Sequence, residues 1–251
     1  NGVQTMASLT SGGVVSAGRD GKLLVWNVGG ATAPLVALAG HGDERGKQVT
    51  NATNIVGVCE ATGGKIVSCG WDGTARVWPQ AAALGAAGVS PSLAAASAAG
   101  ALVLAHDLAV LAVCALPDGR VATGAGDGIV RLWKTPDAGG GYALEAAGAS
   151  VGCPIRGLVA LPGAGGGVAQ VGNDGVVRVL RTAAAGTDAV LSVERASPST
   201  RSYLLCVGAA DGGASGTAYE IYSGGDDGVL RVWRAGAAAG ALELAFSVST
   251  P

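Results

Sequence analysis

Residues 68–79 read SCGWDGTARVWP, and the same frame returns four more times without a gap. It stands as SAGRDGKLLVWN at 16–27, TGAGDGIVRLWK at 123–134, QVGNDGVVRVLR at 170–181 and SGGDDGVLRVWR at 223–234. An Asp-Gly pair lies at the centre of each copy, at Asp20, Asp72, Asp127, Asp174 and Asp227. Six residues further on comes Trp26, Trp78, Trp133, Leu180 or Trp233, and four residues on comes Leu24, Arg76, Arg131, Arg178 or Arg231. Subtraction puts the Asp residues 52, 55, 47 and 53 apart. A repeat near fifty residues indicates an array of supersecondary units, each too small to bury its own apolar face.

Each frame reads as a β-hairpin. Asp-Gly is expected to supply the positive φ angles of a tight turn. An aliphatic run precedes the turn, as in Lys65-Ile66-Val67, and an alternating run follows it, as in Ala75-Arg76-Val77-Trp78. Arg and Trp then share one sheet face and the aliphatic residues the other. A further apolar run lies before each hairpin, at 4–8, 55–59, 110–116, 155–161 and 203–207. Another lies after it, at 35–39, 101–105, 142–146, 190–194 and 242–246. Four strands per repeat and five repeats predict five four-stranded units, at about 1–40, 54–105, 108–147, 154–195 and 202–248.

Composition agrees with a well-buried all-β chain. Gly numbers 44 and charged residues make up only 14 % of 251. The formal net charge of -2 gives no electrostatic grip on nucleic acid. The five cysteines are spread out with no C-x-x-C pair, and His41 and His106 are the only histidines. This predicts buried structural thiols, no metal site and no cofactor. The uncharged stretch 81–105 is long enough to span a bilayer, but it is mostly Ala, Gly and Ser, includes Pro91 and lacks basic flanks. It reads as a low-complexity loop leading into a short strand, with no membrane partner. Asp beside Ser and His invites a catalytic reading. Catalytic groups are not installed in several equivalent copies, however, and no G-x-S-x-G elbow or phosphate loop is present. No enzyme is expected.

The repeat resembles WD-repeat β-propellers over essentially the whole chain, 1–251. That resemblance implies an all-β propeller, with the five visible blades forming part of a seven-bladed ring and the chain part of something longer. It also implies a network in which a second-strand Ser or Thr, the turn Asp, the third-strand Trp and a loop His join by hydrogen bonds. The matching residues are His41, Ser68, Asp72 and Trp78, then His106, Thr123, Asp127 and Trp133, then Ser223, Asp227 and Trp233 without a His. The fourth repeat departs from the pattern, with Gln170 for Ser and Leu180 for Trp, and is expected to be the least rigid.

Within that class, residues 108–134, LAVLAVCALPDGRVATGAGDGIVRLWK, are similar to the middle blades of the phospholipase A2-activating protein family. So are KIVSCGWDGTARVW, IRGLVALP and VGNDGVVRVL. The resemblance implies a non-enzymatic, cytoplasmic or nuclear platform that binds ubiquitin in ubiquitin-dependent turnover. An AAA ATPase would be recruited only through domains outside this sequence. The alternative is a generic scaffold in a multiprotein complex. On either reading, partners would meet the residue before each turn Asp, namely Arg19, Trp71, Gly126, Asn173 and Asp226, and the inner-strand residues Leu111 and Arg156. Trp71 stands out, since a large aromatic in a turn gains little burial. It is expected either to meet a partner or to pack on a neighbouring loop.

Overall fold

The computed structural model describes residues 2–27, 34, 36–42, 53–80, 101–134, 141–162, 167–183, 190–212, 219–235 and 240–249. The polar stretch at 43–52 and the Ala-rich stretch at 81–100 lie outside the described residues.

Among the described residues, twenty strands form five four-stranded antiparallel sheets, or blades. The first holds β1 (Val3–Ser8), β2 (Gly13–Gly18), β3 (Lys22–Asn27) and β4 (Val36–Ala39). The second holds β5 (Ile55–Ala61), β6 (Lys65–Gly70), β7 (Thr74–Gln80) and β8 (Leu102–Ala105). The third holds β9 (Val110–Ala115), β10 (Val121–Ala125), β11 (Val130–Lys134) and β12 (Ala143–Ala147). The fourth holds β13 (Ile155–Ala160), β14 (Val168–Gly172), β15 (Arg178–Ala183) and β16 (Val190–Ala196). The fifth holds β17 (Leu204–Asp211), β18 (Tyr219–Gly225), β19 (Val229–Ala235) and β20 (Leu242–Ser249). Every sheet runs in chain order from its inner to its outer strand. The all-β, four-strand expectation is borne out. No helix among the described residues is long and apolar enough to cross a membrane.

Two compact units make up the chain: Asn1–Ala115 with Pro136–Tyr142, and Leu116–Thr135 with Ala143–Pro251. Each buries aliphatic residues between successive blades. In the first unit Val15, Leu23, Val25 and Leu38 of the first blade pack with Ile55, Ile66 and Trp78 of the second. In the second unit Ala169, Val171, Val177 and Val179 of the fourth blade pack with Ile221, Trp233 and Leu242 of the fifth. The aliphatic face of one blade thus receives the Trp-bearing face of the next. Burying each large side chain this way contributes roughly 1.5–3 kcal/mol.

The hairpin turn differs from expectation in one respect. Only its Gly has a positive φ: 70° at Gly21, 77° at Gly73, 74° at Gly128, 69° at Gly175 and 68° at Gly228. The Asp does not share it. The loop has three residues, closed in the second blade by Gly73 N–H donating to Gly70 O at 3.4 Å. This is a type I turn ended by a left-handed Gly. The Asp is required for its carboxylate, which accepts the N–H two residues on. Thr74 N donates to Asp72 Oδ1 at 2.9 Å, Ile129 N to Asp127 at 2.9 Å, Val176 N to Asp174 at 3.1 Å and Val229 N to Asp227 at 3.1 Å.

Candidate protein-binding rim at the turn ends

The turn end of a blade carries the Asp-Gly loop and the start of the inner strand, because the first residue of one strand pairs with the last of the next: Ile55 with Gly70, Ile155 with Gly172, Leu204 with Gly225. Backbone bonds tie the two together. Trp71 N donates to Asn54 O at 3.0 Å, Asn173 N to Pro154 O at 3.4 Å and Asp226 N to Tyr203 O at 3.0 Å. In the first, third and fourth blades a hydroxyl from the loop leading to the next blade then clips the turn. Thr53 Oγ1 donates to Arg19 O at 2.6 Å, Ser150 Oγ to Asp127 O at 2.6 Å and Ser199 Oγ to Asp174 O at 2.7 Å. The loop passes so close that a Cβ on Gly128 would stand 2.7 Å from Cys153 O. Loop and turn are held as one rigid edge.

Beneath that edge lies the hydrogen-bond network. In the second blade Trp78 Nε1 donates to Ser68 Oγ at 2.9 Å, and Ser68 Oγ lies 2.7 Å from His41 Nε2. His41 Nδ1 lies 2.9 Å from Asp72 Oδ2. Thr74 Oγ1 also donates to Asp72 Oδ1, at 2.8 Å. Burial alone would raise the Asp72 carboxyl. The His41 bond and charge and the two Thr74 bonds outweigh it and hold Asp72 below the ordinary carboxylate range. The Trp-to-hydroxyl bond recurs at 2.8 Å from Trp26 to Ser16, Trp133 to Thr123 and Trp233 to Ser223. His106 is buried, with Nδ1 donating to Leu104 O at 3.1 Å.

In the third, fourth and fifth blades the turn Asp has a partner missed by the sequence reading, the Arg four residues on. Asp127 pairs with Arg131 at 2.8 Å, Asp174 with Arg178 at 2.6 Å, and Asp227 with Arg231. The Arg231 hydrogen bond pulls Asp227 down to about 2. The signal was present in the frame, because Arg at that offset faces the same way as Trp. Blade four keeps its Asp174–Arg178 pair but buries Gln170, whose Nε2 has no hydrogen-bond partner among the described residues.

Of the expected contact residues in the first unit, Arg19 is exposed, Trp71 is 38 % exposed and Leu111 is half-buried. In the second unit Asp226 is exposed, while Gly126, Asn173 and Arg156 are half-buried. Arg156 Nε donates to Asn173 Oδ1 at 2.9 Å, and Asp226 Oδ1 accepts from Tyr203 N at 2.9 Å. Sequence reasoning missed Arg201 and Tyr203. The loop Ser199-Thr200-Arg201-Ser202-Tyr203 repeats the serine-centred bonds of Ser150-Val151-Gly152-Cys153-Pro154. Gly152 N donates to Ser150 Oγ and Arg201 N to Ser199 Oγ, each at 3.2 Å. Gly152 has φ 75°, and Arg201 takes the same left-handed backbone at φ 61°. Aligning the two loops would have found this position. Arg201 is exposed, and Tyr203 beside it is 52 % exposed.

The thiols are free. Cys69 and Cys114 are buried as expected, but Cys59 and Cys153 are half-buried and Cys206 is exposed. Burial pushes the Cys59 thiol up to about 12 and Cys69 and Cys114 upward as well, which keeps these thiols protonated and inert. No group of three or more metal-ligating side chains occurs among the described residues. A cleft over β1–β3, lined by Val3, Ser16, Lys22 and Leu24, encloses about 110 Å³, below the roughly 300 Å³ of a small-molecule site.

The family described as WD domain, G-beta repeat matches residues 34–79 and 101–134. No curated protein matches the chain. The matched repeats and the five four-stranded sheets place the fold in the WD-repeat propeller class.

Proposed function

We propose that this chain is a non-enzymatic protein-interaction platform that presents its turn ends to partners. The carrying observation is a contrast at the turn ends. The backbone is locked by Asx bonds, left-handed glycines and hydroxyl clips, yet large side chains stand outward from it. Trp71, Arg201 and Tyr203 are of the residue types enriched at binding hot spots. A rigid edge lowers the ordering cost of association. WD repeats generally serve protein interaction, and the duplicated, internally satisfied Ser/Thr–Trp pairs have no arrangement suited to catalysis.

The finer proposal is that ubiquitin is a partner and that the platform serves ubiquitin-dependent turnover. It is supported by the similarity of residues 65–78 and 108–134 to the phospholipase A2-activating protein family. Five free cysteines, one exposed, suit a reducing compartment, so cytoplasmic or nuclear residence is proposed with it.

The test is titration of isotope-labelled ubiquitin with the chain, followed by NMR. Saturable shifts confined to one ubiquitin surface, lost with a folded Trp71→Ala variant, would support both readings. Absence of shifts from a folded chain would sink the ubiquitin reading and leave a scaffold for another protein.

A further inference from the structure

We infer that the turn end of the fourth blade recognises an acidic peptide, gripping two of its carboxylates with Arg156 and Arg201; this rests on the platform role proposed for the turn ends and narrows it to one partner chemistry. Most arginines of the second unit are already neutralised. Arg120, Arg131, Arg178, Arg181, Arg231 and Arg234 each pair with a carboxylate. Arg195 donates to Ala241 O. Arg156 and Arg201 pair with no carboxylate among the described residues, and both are tied to one turn, Asn173-Asp174-Gly175.

Each is held at a different end of that turn. On the inner strand, Arg156 Nε donates to Asn173 Oδ1 at 2.9 Å. This fixes the guanidinium and leaves its two Nη groups, a parallel pair of donors that matches the two oxygens of a carboxylate. At the other end, Thr200 N donates to Gly175 O at 2.9 Å and Ser199 Oγ to Asp174 O at 2.7 Å. A Cβ on Gly175 would stand 3.2 Å from Arg201 N, so the backbone of Arg201 lies against the turn. Arg201 is exposed and keeps a left-handed φ of 61°, where the equivalent Gly152 has 75°. A non-glycine residue persists there only where its surroundings over-determine it, and such strain concentrates at ligand-binding sites.

The exposure of both arginines belongs to their own positions. β13, which carries Arg156, packs between β10 and β17. Gly152 is exposed although a further blade follows its loop. The acid of the turn does not oppose an anion, because Asp174 is tied to Arg178 at 2.6 Å. Asp226, on the fifth blade's turn, repels acidic groups and so confines them to the fourth. Guanidinia at two ends of a turn reach two charges, which a peptide with carboxylates at intervals supplies. Two such cations on a chain of net charge -2 are too few to grip nucleic acid.

Fluorescence polarisation on the full chain tests this, with a fluorescein-labelled peptide of alternating Glu and Ser as the probe. Binding should be saturable and should weaken as salt rises. Arg156→Gln and Arg201→Gln should each weaken it by about 3–10-fold with unchanged circular dichroism. Arg201→Gln keeps the Cβ and with it the backbone strain, so its loss reports the guanidinium. Lys134→Gln, exposed at the far end of its strand from the turn, should leave binding unchanged. Arg156→Lys should restore only part of the affinity, since one ammonium cannot hold Asn173 and both carboxylate oxygens. Absence of binding, equal binding of the same peptide with Gln for each Glu, indifference to both Arg→Gln variants, or tighter binding of a labelled thymidine decamer would each overturn the inference. The ubiquitin titration is scored apart from it, through Trp71 of the first unit. Saturable ubiquitin shifts with no acidic-peptide binding would keep the platform and remove this site.

Discussion

His41 Nδ1 lies 2.9 Å from Asp72 Oδ2, with both side chains almost wholly buried. The carboxylate calls for a proton on Nδ1, and Nε2 lies 2.7 Å from Ser68 Oγ. A chain of bonds then runs from Trp78 through Ser68 and His41 to Asp72, joining a loop, two strands and a turn.

His41→Ala breaks that chain and leaves Ser68 and Asp72 short of a partner, at a cost of about 1–3 kcal/mol. It also changes the acid limb. Asp72 sits lower in the folded protein than its ordinary value of 3.8. Its contribution is therefore full above that value and is lost as pH falls through the folded pKa. Without His41, burial of the carboxyl is opposed less, so acid unfolding should begin at a higher pH. Near-ultraviolet circular dichroism around Trp78 follows it. Superimposable acid curves for variant and wild type would count against the network's energetic role.

Arg201→Gly tests whether the left-handed backbone is strained. Relief of the non-glycine penalty gains about 1–2 kcal/mol, and the greater freedom of unfolded Gly returns about 0.4–1 kcal/mol. A net gain of roughly 0.5–1 kcal/mol corresponds to a rise in Tm of about 2 °C for a chain of this size. If Arg201 contacts partners, affinity falls while stability rises. Gly152→Arg, the reciprocal change in the equivalent loop, should lower Tm.

Much of this was legible in the repeat. The fixed offsets of the turn Asp and Gly located the hairpin strands, and the apolar runs on either side located the other two strands of each blade, to within a few residues. Ser68, Asp72, Trp78 and His41 were legible only through resemblance, since His41 lies 31 residues from Asp72 in sequence. The positive φ was credited to both turn residues when only Gly carries it. A dipeptide signal does not distinguish a two-residue turn from a three-residue one. Arg201 escaped notice because left-handed backbone at a non-glycine is decided by surrounding bonds, here the Ser199 hydroxyl and the turn at Gly175.

Asp227 offers a direct spectroscopic check on the Arg pairing. The Arg231 hydrogen bond holds its carboxyl near 2. Because the folded value is depressed, the pair stabilises above the ordinary carboxylate range and is lost as pH falls toward 2. Arg231→Leu removes the donor, so the Asp227 carboxyl carbon should titrate at a higher pH, closer to the ordinary value of 3.8. Carbon-detected NMR reads this directly. An unmoved midpoint would assign the depression to the Val229 N–H instead.

The fourth blade provides the sharpest test of how the repeat stores its stability. Gln170 and Leu180 stand where the other four blades pair Ser or Thr with Trp, and Gln170 Nε2 lies buried without a partner among the described residues. An unsatisfied buried amide costs about 1–3 kcal/mol. Gln170→Ser with Leu180→Trp exchanges volume between two neighbours and restores an indole N–H to a hydroxyl. Leu180→Trp alone should destabilise by about 1–3 kcal/mol, because it overfills the site beside Gln170, while Gln170→Ser alone sets a void against relief of the unsatisfied amide. The double variant should return to wild-type stability or exceed it, giving a coupling above about 1 kcal/mol in a double-mutant cycle. Urea denaturation of the four proteins measures it. Additive losses would mean that the blade has repacked around Leu180 and no longer has room for the indole.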